Sequence, residues 1–220
     1  MRISGRIIPA EERGADMIIY DISQEVFGCA VFPGDTQPEH IWAQRISENG
    51  ICNLTVIRMC AHNGTHVDSP YHFLDHGATI DQIPLDRFIG YAYVAEFDGA
   101  IGKEDAVAIL NKAGKADAYC TDPSDKASFR ILVKGNAVVT EEAAKVFADA
   151  HIRLFGNESQ TVGPEDAPMA VHLIMLSEGI ILLEGIRLHD VPEGVYLLNA
   201  APLNLGGADG APCRAVLMDI

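Results

Sequence analysis

A chain of 220 residues with 48% apolar content can bury a full core without disulfide or metal staples, and one domain over residues 1–220 is expected. A formal charge of −15 repels phosphate backbones and acidic lipid headgroups, which excludes nucleic acid and membrane as partners and favours a small-molecule substrate. The opening MRISGRIIPAEERGAD has no secretion-type apolar stretch, and Cys29, Cys52, Cys60, Cys120 and Cys213 form no CxxC pair, so a cytoplasmic protein using its thiols as small core residues is expected.

In chain order, MIIYDI (17–22) reads as a first strand and PGD (33–35) as a turn. Further strand-like runs follow at NLTVIRMCA (53–61) and YVAEF (93–97). Ala106, Ile109, Leu110 and Ala113 then repeat at i, i+3, i+4, i+7, the spacing of one helix face. RILVK (130–134) is another strand, and Ala143, Val146, Phe147 and Ala150 form a second helical face behind a Thr140 N-cap. A third face, Met169, His172, Leu173 and Leu176, belongs to a helix expected to open at Pro164 and stop at Gly179, and it sets a histidine where an apolar residue belongs. IILLE (180–184), VYLLNA (195–200) and AVLMD (215–219) read as strands, with GGADG (206–210) as a turn. Interspersed strands and helices, with strands in the majority, predict an α/β fold without internal repeats.

Four of the eight histidines lie between His62 and His76, within HNGTHVDSPYHFLDH. His62, His66, Asp68 and His72 are separated by even steps, so a straight strand would face them one way but hold His62 and His66 about 13 Å apart. Donors to one ion lie about 2 Å from it, so the chain must bend between them, and Asn63-Gly64 permits the bend. Pro70 discourages helical angles at Ser69, which predicts that the motif sits mainly on a shaped loop. Imidazole with carboxylate suits Zn or Mn better than Ca or Mg. His76, between Asp75 and Gly77, reads as a surface turn residue. Downstream, a helix, a glycine turn and a returning strand would bring His172 beside Glu184, and a second ion would satisfy both.

The sequence resembles the cyclase family of metal-dependent hydrolases, which includes kynurenine formamidase- and isatin hydrolase-like members. The pattern HxGTHxDxPxH is met by His62, Gly64, Thr65, His66, Asp68, Pro70 and His72, and the later His-x11-Glu pair by His172 and Glu184. FPGDT (32–36), IPLDRFIG (83–90) and the segment 184–217 extend the similarity over most of the chain. The resemblance implies a β-rich, barrel-like core flanked by helices (a swivelling β/β/α fold) and a homodimer or higher homo-oligomer. It also implies two zinc or manganese ions, one on His62, His66 and Asp68 and the other on Asp68, His172 and Glu184, with Asp68 bridging. This chain has Phe32 where formamidases carry Trp, and FGNESQTVG (155–163) where they carry an Asp-Thr-Pro-Ser-like stretch. Phe32, Glu158, Ser159 and Gln160 are therefore expected at the substrate, with a core position for Phe32 and a polar surface loop as the plainer alternatives.

The expected activity is hydrolysis of a small amide, lactam or lactone by metal-activated water. His72, outside the proposed ligand set, is the expected proton carrier, and Thr65 the residue that orients a ligand from behind. Two rivals stay open. His66, Asp68 and His172 have the order of the facial triad of a non-haem iron oxygenase, and a non-catalytic metal-binding domain would use the same donors.

Overall fold

In a computed structural model describing residues 17–219, every apolar run read as a strand from the sequence forms one. The opening MRISGRIIPAEERGAD, read as having no secretion-type stretch, lies outside these residues. The elements begin with β1 (Ile19–Asp21), β2 (Glu39–Gln44), β3 (Leu54–Arg58), β4 (His66–Asp68), β5 (Ile89–Glu96) and β6 (Gly99–Ile101). Helix α1 (Lys103–Ala116), β7 (Arg130–Lys134), β8 (Ala137–Val139), α2 (Glu141–Asp149), β9 (Leu154–Asn157) and α3 (Met169–Ser177) follow. The chain continues through β10 (Ile181–Glu184), β11 (Gly194–Asn199), β12 (Gly210–Pro212) and β13 (Val216–Met218).

Nine strands form one sheet, curled into a half-barrel, in the order β1-β13-β11-β5-β7-β9-β10-β4-β12. Its middle, β5-β7-β9-β10, is parallel, and such strands are covered on both faces. Side chains alternate accordingly: Tyr93, Ile131, Val133, Phe155 and Leu182 enter the core beneath the helices, while Val94, Leu132, Leu154 and Leu183 fill the concave side. The α/β expectation with a barrel-like core is thereby met. Two small ribbons stand apart from the sheet, β6 beside β8 and the hairpin β2–β3.

The helices follow most of their apolar periodicity: Leu110 and Val146 are half-buried, Ala150 is exposed just beyond α2, and α3 differs in its start and its face. α1 buries Ala106, Ile109 and Ala113 as read, and the Thr140 hydroxyl accepts the Ala143 N–H at 3.3 Å to cap α2. α3 starts at Met169 rather than Pro164, because Pro168 keeps Ala167 from helical angles and 164–167 close as a turn. Its buried face is Val171, His172, Met175 and Leu176, so Met169 and Leu173 are exposed instead of inward. No helix among the described residues is long and apolar enough to cross a membrane. The cysteines are free thiols: Cys120 and Cys213 pack against the two cores as read, Cys29 and Cys60 are half-buried elsewhere, and Cys52 is exposed, which corrects the core reading for those three.

One buried charge ties the sheet to its preceding loop. The Arg130 guanidinium is fully buried and donates to Asp125 Oδ1 at 2.7 Å and to the carbonyls of Arg87, Ile89, Tyr91 and Asp86. Arg130→Met keeps similar bulk but strands these acceptors, and breaking a buried ion pair typically costs about 3–5 kcal/mol. Urea denaturation is expected to show a loss of that order; a change under about 1 kcal/mol would mean that water or rearrangement replaces the network.

Candidate metal centre

The motif read mainly as a loop is one on both sides of a three-residue strand at its centre. Asn63 closes a tight turn on Cys60 through both its amide oxygen and its N–H, and Gly64 takes φ +70°, the left-handed angle that lets the chain double back. His66–Asp68 then enters the sheet as β4, between β10 and β12, which corrects the loop placement. Polar residues form this strand because partners on both sides satisfy its backbone, and Val67 alone fills the concave core. Alternation turns His66 and Asp68 to the helix side, and the register sets Glu184 directly opposite His66. His172 comes down from α3 above them.

Asp68 is the centre. Its Oδ1 lies 2.9 Å from His62 Nδ1 and 3.4 Å from His66 Nε2, while its Oδ2 lies 3.6 Å from His172 Nε2. Glu184 completes the ring, 3.4 Å from His66 Nε2 through Oε2 and 3.2 Å from His172 Nε2 through Oε1. The remaining ring nitrogens of His66 and His172 meet the carbonyls of Gly64 at 3.1 Å and Pro168 at 2.8 Å, which aims both Nε2 atoms at the carboxylates. Glu184 Oε1 also accepts the Val162 N–H at 2.8 Å. Asp68 Oδ2 is buried without a hydrogen-bond partner among the described residues. Donor atoms of His66, Asp68 and Glu184 all lie within 4.8 Å of one another, as do those of His62, Asp68 and His72. An orphaned carboxylate oxygen amid imidazole and carboxylate donors fits a zinc- or manganese-type cation.

The family model described as "Putative cyclase" matches residues 20–164. The chain belongs to the cyclase family. A kynurenine formamidase from Salinibacter ruber is 34% identical over 214 residues, covering 92% of this chain and 98% of that protein. A kynurenine formamidase from Paracidovorax citrulli is 34% identical over 216 residues, covering 91% and 96%. Among solved structures, a predicted metal-dependent hydrolase from Bacillus stearothermophilus superposes with a TM-score of 0.73 at 30% identity, covering 94% of this chain and all of that one. Isatin hydrolase A from Labrenzia aggregata, at 20% identity and a TM-score of 0.75 over 92% of this chain and 93% of its own, shares the fold.

In this cyclase-family chain the centre opens into a cavity of about 250 Å³ walled by Phe32, Asp35, Phe73, Gln160, Thr161 and Pro168. Phe32 and Gln160 thus face the centre. Glu158 and Ser159 line an adjoining cavity instead, and the Glu158 carboxylate is occupied by the N–H groups of Gly135 and Leu188. The Thr65 hydroxyl donates to the Gly185 carbonyl at 2.7 Å, stapling the chain just after Glu184 to the motif. His72 lines the cavity beside His62, their rings stacked at 4.0 Å, and His76 is exposed. Asp35 and Asp209 were not singled out from sequence. Asp209, whose Oδ2 lies 2.9 Å from His62 Nε2 and 3.0 Å from His72 Nδ1, gave no signal beyond its place in the GGADG turn.

Burial alone pushes these imidazoles down, but hydrogen bonds to carboxylates outweigh it. His62 rises to about 11 through Asp209 and Asp68, His66 to about 9 and His172 to about 10 through Asp68 and Glu184. The opposing effect of burial on Asp68 is likewise outweighed, and His172, His62 and His66 hold its carboxyl well below the usual range. Each raised imidazole contributes stability fully present below its unfolded value near 6.5 and lost as pH rises through its folded value. The metal-free protein is therefore expected to lose stability in steps through about 9, 10 and 11. A metal-loaded protein would lack these steps, because an ion on these donors would take the place of the protons. Denaturation with and without chelator across this range checks it; parallel pH curves would refute it.

Proposed function

We propose that this chain, as a single domain, hydrolyses the C–N bond of a small aromatic amide, of the N-formyl anilide or cyclic lactam kind. The observation that carries the reading is Asp68, buried with its two oxygens facing different histidines, His62 and His172, which themselves line a small cavity flanked by Phe32 and Phe73. The kynurenine formamidase relatives favour the open-chain amide as the first substrate to test. His62, His66 and Asp68 would hold one divalent ion, zinc or manganese, and Asp68, His172 and Glu184 a second. Bound there, such ions supply Lewis-acid polarisation of a carbonyl and acidify water.

The remaining roles belong to the chain itself. Phe32 and Phe73 receive the flat apolar body of the substrate. Gln160 Oε1 is buried without a partner among the described residues, and it accepts the substrate N–H. His72 takes the proton of the attacking water and returns it to the leaving nitrogen. A facial-triad oxygenase built on His66, Asp68 and His172 would leave His62, against the Asp68 carboxylate, and Glu184, against the His66 and His172 rings, without a task.

Metal analysis of loaded protein should give two ions per chain, followed by hydrolysis of N-formyl anilides, isatin-type lactams and small lactones. His72→Ala is expected to keep both ions and lower kcat by about 10²–10⁴-fold, the usual contribution of a general acid–base group. His66→Ala should lose metal and activity together. Two bound ions without turnover of any of these compounds would favour a non-catalytic metal-binding role. Metal loss in His72→Ala equal to that in His66→Ala would make His72 a ligand.

The same reading includes a homodimer working in the cytoplasm, where its free thiols persist. Every residue of β2 and β3 is exposed, and Ile41, Trp42, Ile46, Leu54, Val56 and Ile57 leave apolar surface uncovered on a two-stranded ribbon too small to be stable alone. Ring contacts from Trp42 to His40 at 4.5 Å and from His40 to Phe27 at 5.2 Å join this hairpin to the segment carrying Phe32. A second copy covering the hairpin would thus border the cavity. Trp42→Glu is expected to convert the dimer to monomer in sedimentation velocity, and an unchanged mass would place the interface elsewhere.

A further inference from the structure

We infer that Asp209 is a positioning residue: one of its carboxylate oxygens decides which nitrogen His62 turns to the metal centre and which nitrogen His72 turns to the substrate. Asp209 Oδ2 lies within hydrogen-bond distance of both His62 Nε2, at 2.9 Å, and His72 Nδ1, at 3.0 Å. A carboxylate only accepts, so both imidazoles must donate to it. That leaves His62 with Nδ1 directed at Asp68 and His72 with its Nε2 lone pair, which has no protein partner among the described residues, in the wall of the cavity. In a neutral imidazole the hydrogen bond on one nitrogen fixes the job of the other.

The backbone holds this carboxylate in place from a distant part of the sequence. Ser69, fully buried directly after Asp68, donates both its N–H and its hydroxyl to the Asp209 carbonyl at 2.9 Å. β12 begins at the next residue and pairs Gly210 with Asp68. A side chain at Gly210 would bring Cβ to 2.7 Å from His62 Cε1 and 2.8 Å from the Val67 carbonyl, so only glycine lets the His62 ring lie against the strand. The stacked rings of His62 and His72, 4.0 Å apart, are therefore held as a pair by a single oxygen. Removing that oxygen frees the His72 ring and leaves His62 fastened through Nδ1 alone. Loss of the carboxylate behind a catalytic histidine is known to act through the wrong tautomer while leaving geometry intact.

Only the kinetic part of this inference rests on the hydrolase reading. The test uses the zinc-loaded full chain with ¹⁵N-labelled histidine, as wild type, Asp209→Asn and Asp209→Glu. Wild-type His72 is expected to carry its proton on Nδ1 when neutral, and Asp209→Asn to give a mixed or reversed tautomer. Asp209→Asn should lower kcat by about 10²-fold or more with KM changed by under about 3-fold. It should also weaken zinc binding by about 10–100-fold in chelator competition. Its thermal midpoint should stay close to wild type, because the Ser69 clamp grips the backbone, and Asp209→Glu should recover part of both losses. A wild-type His72 protonated on Nε2, or a fall in kcat with the His72 tautomer unchanged, would overturn the assignment. If the wild type hydrolyses none of the amides, the hydrolase reading fails, while tautomer and zinc affinity still decide the role of Asp209.

Discussion

A carboxylate with 1% of its surface exposed must be neutralised where it stands, and the arrangement around Asp68 answers that demand. The turn at Asn63-Gly64 brings His62 back to it, strand alternation turns His66 to the same face, and the β4–β10 register places Glu184 across from His66. His172 arrives on a helix whose own start is set by a proline. The outer nitrogens of His66 and His172 are each fastened to a backbone carbonyl, so orientation comes from the main chain and does not depend on mobile side chains.

This division of labour separates the two halves of the site. Most of the proposed metal donors stand on strands and a helix, packed between two apolar cores. The residues that would meet substrate, Phe32, Asp35, Gln160 and Thr161, stand on connecting segments. Rigid elements hold donors within a few tenths of an ångström, whereas connecting segments accept changes of shape and sequence at little cost to the core. Such a layout would let substrate contacts change without disturbing the donors. Of the departures, Phe32 and residues 158–163 fall on connecting segments, while 155–157 belong to the buried strand β9.

How much the sequence disclosed follows the range of each interaction. His62, His66, Asp68 and His72 crowd into one short segment, so local spacing and the Asn63-Gly64 bend were enough to propose a shared ion. His172 betrayed itself as a polar residue on an apolar helical face, and Glu184 as a charge ending an apolar strand. β4 was read as a loop because its two polar residues carry no strand propensity, and its partners lie far along the chain. The short strands β9 and β12 were missed because Gly156 and Asn157 in one, and Gly210 and Pro212 in the other, are residues depleted in strands. The helical period found α3, but only the backbone restriction before Pro168 sets its first turn. Asp209 was invisible because its meaning comes wholly from Ser69, His62 and His72, which reach it only through the folded sheet.

The position of β4 in the strand order also bears on how the protein is made. Its neighbours in the sheet are β10 and β12, both synthesised long after it, so the segment bearing His66 and Asp68 leaves the ribosome with no strand to pair with. The pairing that seats Asp68 between its partners must wait until residues 210–212 have emerged. Until then the histidine-rich segment is an open chain that cannot grip an ion from both sides. An ion held by these donors would find its final coordination only after Glu184 and the strand at 210–212 have both been made.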